Sequence, residues 1–210
     1  MRPNEDDRMH LRKAGAGSEA AFLALVDRHH MSLVRIARLW CEDLPRAEDS
    51  VQRTWVTLLR TLARFDDQSS LKGWLCSALI RILRIDLGPE HETLFELSAE
   101  GAIPAVDPER FSPPGDRWEG HWQRPPVDWA DAVPGSAPTP EQRAIIERVI
   151  AELPHSQRVV LVLRDVEGLA QREVESALGV SAELQHRLLH LARSRVRSAL
   201  ERHHAEVRTS

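Results

Sequence analysis

The chain has 210 residues, 42% apolar and 29% charged, which suits one or two small domains with a buried core rather than a disordered or membrane-embedded chain. Its net charge of −4 speaks against a general nucleic-acid coat protein, while leaving room for one that meets DNA with one or two helices. No apolar run nears the roughly 18 residues of a membrane span, and the opening MRPNEDDRMHLRKAGAG is polar throughout, so no membrane insertion, no signal peptide and a cytoplasmic location are expected.

Residues 1–17 read as an N-terminal tail. Ser18 is a candidate N-cap, and Phe22, Leu25, Val26, His29, Leu33, Ile36 and Ala37 then recur at helical spacing, ending near Trp40. A second helix is predicted after Leu44-Pro45, where Val51, Trp55, Leu58 and Leu62 form one stripe. Phe65 to Ser70 is a polar break. A third helix comes next, SLKGWLCSALIRILRIDL, with Leu71, Trp74, Leu75, Ala78, Leu79, Ile82 and Leu83 predicted inside and Lys72, Arg81 and Arg84 outside.

Residues 88–140 stand apart. They hold ten prolines, ten acidic side chains and only three basic ones, with no periodicity, and read as a long linker with little regular structure. Thr139 and Pro140 then open a further helix as cap and first residue, carried by Ile145, Ile146, Val149 and Ile150 to Leu153. Pro154 opens another, ending at Gly168. A short helix over 170–178 stops at Gly179, and Ser181 caps a last helix running to about His204. Short helix, glycine turn and long helix with an arginine-rich flank obey helix-turn-helix grammar. On a helical wheel Leu184, Leu188, Leu191, Ala192, Val196 and Ala199 share one side; His186, Arg187, His190, Arg193 and Arg197 share the other. Gln185 and Arg195 are misfits on the apolar side. The fold class expected is all-α: two small helical domains, 18–87 and 141–204, joined by the linker 88–140 and ending in a tail, 205–210.

ELPHSQRVVLVLRDVEGLAQREVESALGVSAELQHRLLHLARSRVRSALE closely resembles region 4 of the extracytoplasmic-function sigma factors of bacterial RNA polymerase. RAEDSVQRTWVTLLRTLARFDDQSSLKGWL resembles their region 2, and RWEGHWQRPPVDW is similar to a subset with an extended linker rich in Trp and Pro. The resemblance implies a dissociable initiation subunit, not an enzyme, with no cofactor. Its partners would be core polymerase, through the β′ clamp helices and β flap, promoter DNA, and an anti-sigma factor.

Each implied role falls on particular residues. Glu48, Asp49 and Gln52, opposite the Trp55 stripe, would grip the clamp; Arg53 departs from the Gln-Glu that the family usually continues with. The loop Asp66, Asp67, Gln68, Ser69 and Ser70, with Lys72, Arg81 and Arg84, would bind and melt the minus-10 element. Arg81 itself stands where an Asn is common. Glu183, His186, Arg187 and His190 would reach base edges of the minus-35 element, and Arg193, Arg195 and Arg197 its backbone. Leu191 replaces a usual Arg, and Glu175 replaces a small residue packed between helices, a poor packing choice unless Glu175 turns toward solvent.

Other motifs add little chemistry. His186 and His190 have metal-compatible spacing but no third ligand nearby in sequence, and no metal is expected. Cys41 and Cys76 form no CxxC or Cys/His cluster. The linker's acidity suits competition with nucleic acid for a basic path through polymerase, and Trp118, Trp122 and Trp129 suit either docking on polymerase or folding back between the modules. Besides an initiation factor, two classes stay open: a degenerate sigma-like protein that binds polymerase or an anti-sigma factor without opening promoters, and a free-standing helix-turn-helix regulator. The match of the first module speaks against the last.

Overall fold

The computed structural model describes residues 3–41, 43–62, 65, 70–88, 110–121, 123, 125 and 138–209. Among them the regular structure is helical, as expected: α1 (Pro3–Gly15), α2 (Glu19–Ala37), α3 (Leu44–Thr61), α4 (Leu71–Leu87), α5 (Pro140–Glu152), α6 (His155–Leu161), α7 (Gln171–Leu178) and α8 (Ala182–Thr209). A π-helical turn, Val162–Val166, continues α6.

The helix starts lie where small polar side chains satisfy otherwise unpaired amides. Ser18 accepts from the Ala21 amide at 3.3 Å and Ser70 from the Gly73 amide at 3.0 Å. Thr139 and Gln142 bond reciprocally in a capping box, and Ser181 accepts from Leu184. Gly179 takes φ of 64°, the left-handed conformation that ends α7 and turns the chain into α8.

The predicted stripes bury as periodicity requires. Leu25, Leu33 and Ile36 of α2, Val51, Trp55 and Leu58 of α3, and Leu75, Leu79 and Leu83 of α4 close the first module's core. Each such side chain contributes about 1.5–3 kcal/mol of burial. Cys41 and Cys76 are free and buried. Burial pushes the Cys76 thiol up to about 12, against a weaker opposing pull from Lys72. The isoleucines of α5 are only half-buried, because the helix lies along the outside of α8.

Three expectations need correction. Residues expected to form a tail make α1, held to α2 by a buried carboxylate: Asp7 meets His29 Nε2 at 3.0 Å and Arg28 Nη1 at 2.6 Å, and Leu11 enters the core. At the other end α8 continues to Thr209, through the expected tail. The described residues of the linker are irregular, as expected, and close a turn on their own main chain: the Ser112 amide donates to His121 O at 2.9 Å and the Gln123 amide to Arg110 O at 2.8 Å. Arg110 ties this turn to Glu201 of α8 at 2.8 Å. Finally, the modules do not hang apart on a tether. Buried side chains from Leu11 to Ala192 form one continuous cluster, α7 packs on α4, and Trp40 meets the His155 ring edge-on at 5.5 Å.

Candidate functional site

Three faces carry the expected functional residues. On α3, Glu48, Asp49 and Gln52 are exposed, turned away from buried Val51, Trp55 and Leu58. Leu44, Val56 and Leu59, each between 44% and 49% exposed, flank them on the same side of the helix. Helical spacing from Glu48 and Gln52 could have found this apolar border. The neighbouring Arg53 does not reverse the face's charge, because its guanidinium binds Asp86 at 2.5 Å and lies 3.8 Å from Asp49. That hydrogen bond to Asp86 raises its already high pKa further.

The second face belongs to α4. Asp66, Asp67, Gln68 and Ser69 lie outside the described residues. Ser70 caps α4 and also donates to a Glu173 carboxylate oxygen of α7. Lys72 is half-buried, bonding Glu167 Oε2 at 2.9 Å and the Glu167 carbonyl at 2.6 Å. Arg84 donates to the Leu178 carbonyl, whereas Arg81 is exposed. Lys72 and Arg84 do project from their own module, as expected, but the second module covers them. Trp74, expected in the core, is half-buried against Phe65 and lines a cleft of about 650 Å³ with Ser77, Arg81, Arg84 and Ser176.

The third face is on α8. Glu183, His186, Arg187 and His190 are all exposed near its N-terminus, while Gln185 turns into the core at 2% exposure. Arg193 forms a bidentate pair with Asp165 at 2.6 and 2.8 Å, which raises its pKa. Arg195 is half-buried and Arg197 exposed. Glu175 turns to solvent, accepting from Gln171 at 2.8 Å, so its bulk does not disturb the packing of α7 on α8.

The geometry thus provides an acidic helix face with an apolar border, a basic helix covered by the opposite module, and an exposed recognition helix after a glycine turn. Family models match in the same order: Sigma-70 region 2 over residues 25–84 and Sigma-70, region 4 over residues 143–202. The chain belongs to the sigma-70 family.

Within that family it is an RNA polymerase sigma factor of the extracytoplasmic-function type. RNA polymerase sigma factor CnrH of Cupriavidus metallidurans is 25% identical over 208 residues, covering 96% of this chain and 97% of that protein. The ECF RNA polymerase sigma factor SigE of Mycolicibacterium smegmatis is 25% identical over 193 residues, 89% of this chain and 64% of SigE. The solved structure of CnrH in complex with the cytosolic domain of CnrY has a TM-score of 0.54 at 20% identity, covering 93% and 97% of the two chains. That of RpoE with the anti-sigma factor NepR from Bartonella quintana gives 0.51 at 18%, covering 86% and 96%. These likenesses show the fold. Sigma-70 factors are initiation factors rather than enzymes, and they act with core RNA polymerase on promoter DNA. No described helix is long and apolar enough to cross a membrane.

Proposed function

We propose that this sigma factor grips the β′ clamp helices through Glu48, Asp49 and Gln52, with Leu44, Val56 and Leu59 as the apolar border of that contact. The module of residues 18–87, extended by α1, would bind and melt the minus-10 element through the loop Asp66 to Ser70 and through Lys72, Arg81 and Arg84. The module of residues 141–204 would touch the β flap and read the minus-35 element. There Glu183, His186, Arg187 and His190 face base edges, and Arg193, Arg195 and Arg197 face phosphates. RNA synthesis stays with the polymerase; this chain supplies no catalytic group and acts in the cytoplasm. The acidic linker runs in the basic nucleic-acid path of the polymerase. The observation that carries this reading is the exposure of both the acidic α3 face and the recognition end of α8, in a chain matched by both family regions.

Run-off transcription with purified core polymerase on candidate promoters tests it. Promoter-specific transcript that depends on this chain is expected; core binding without transcript would favour a sigma-like regulator that does not open promoters. The fold shared with RpoE, solved with an anti-sigma factor, supports control by such a partner.

A further inference from the structure

The polar groups along α2 and α4 hold carboxylates of the opposite module. Glu167 comes directly after the π-helical turn, and its side chain is 2% exposed. One oxygen takes the Arg35 guanidinium at 2.5 Å; the other takes Lys72 Nζ at 2.9 Å and the Ser32 hydroxyl. Burial pushes this carboxyl up, but the bonds from Lys72, Ser32 and Arg35 outweigh it and hold the group below its ordinary range. On α7, Glu173 takes the Ser70 hydroxyl on one oxygen and the Ala170 amide on the other. A Cβ on Gly73 would meet that same Glu173 carboxylate, so α4 carries no side chain at that point of approach.

An ammonium, a guanidinium and a hydroxyl meeting on Glu167, with a second hydroxyl on Glu173, are the donor types that bind a phosphodiester in protein–DNA contacts. Ser70 and Lys72 already belong to the minus-10 set under the proposed function; Ser32 and Arg35, on α2, do not. We propose that Ser32, Arg35, Ser70 and Lys72 form a phosphate seat for the promoter strand, and that Glu167 and Glu173 occupy it as internal anions in the free chain. This inference rests on the minus-10 reading of the α4 face. The helix-turn-helix module and the DNA strand then compete for one surface. A free chain binds single-stranded DNA poorly, and the seat opens when α7 leaves α4.

The competition is testable in the full-length protein. Arg60→Cys and Arg202→Cys, both at exposed positions, would carry a donor and an acceptor dye, because the native thiols are buried. A fluorescein-labelled single-stranded 20-mer of mixed sequence serves as the DNA probe for undyed protein. Glu167→Gln removes the charge at little cost in shape. It should lower energy transfer between the dyes and raise affinity for the 20-mer about tenfold. Glu173→Gln should do the same to a lesser degree. Arg35→Ala in the Glu167→Gln background should return the affinity toward wild type and flatten the dependence of log K on log salt by about 0.7. Unchanged transfer and affinity in both glutamine variants would overturn the occupied seat. Reduced transfer without gain in affinity would overturn the shared seat, and no loss with Arg35→Ala would remove α2 from it. Failure of the wild-type run-off assay, with the glutamine variants still gaining affinity, would count against the proposed function and not against the seat.

Discussion

Both helices assigned to promoter DNA are basic, yet their cations are differently engaged. On α4, Lys72 and Arg84 are held by the other module, while on α8 Arg187 stands exposed. The difference teaches that charge in a sequence gives the sign of a surface but not its occupant. In the free chain α8 and the acidic face of α3 are open surfaces, and the α2/α4 face is covered.

The largest expected effect probes the open face of α3. Glu48→Lys combined with Asp49→Lys should weaken core-polymerase binding roughly a hundredfold, about 2.7 kcal/mol, with unchanged circular dichroism. Unchanged affinity in a pull-down titration would show that an open surface need not be a working one.

A second test separates a carboxylate that builds one module from those that join two. Asp7→Asn should cost about 2 kcal/mol in chemical denaturation, since it leaves buried His29 without its anion. Burial raises the Asp7 carboxyl, but His29 and Arg28 together hold it below its ordinary 3.8. Its contribution is therefore complete above that value and is lost as pH falls through the depressed one. The stability gap between wild type and variant should close in that acid range. Persistence of the gap would break the assignment.

Smaller effects sharpen the reading of α8. Arg187→Ala should cost about 1.5 kcal/mol of discrimination between promoter and scrambled duplex, measured by competition. Arg193→Ala should flatten the salt dependence of duplex binding by less than the about 0.9 of a full phosphate contact, because Asp165 already neutralises Arg193. A loss of the full value, about 0.9, would mean that DNA displaces Asp165.

Much of this architecture was legible locally. Caps at Ser18, Ser70, Thr139 and Ser181 set half of the described helix starts, Gly179 sets the stop of α7, and the stripe through Val51, Trp55 and Leu58 marked the outward face of α3 by exclusion. What escaped depends on partners far along the chain. Helix α1 shows almost no apolar period, and its anchor is Asp7 meeting His29, a pairing that no local pattern announces. Glu167 is one acid among many in the sequence; only the approach of α2 and α4 distinguishes it. The same holds for the union of the two modules, whose contacts join residues about a hundred positions apart.

The π-helical turn bears on insertion and deletion. In it the Glu167 amide reaches back five residues to the Val162 carbonyl at 2.8 Å instead of four, so one residue more than an α-helix requires is accommodated. Asp165 and Glu167 thereby serve opposite walls, one facing Arg193 and the other Lys72. Shortening the chain by one residue here would restore ordinary winding and leave the downstream helices near their present register, because the wide turn absorbs the extra residue locally. A single codon lost between Val162 and Val166 should therefore be tolerated better than one lost from the α-helical turn before it, which would turn Glu167 by about 100° away from Lys72.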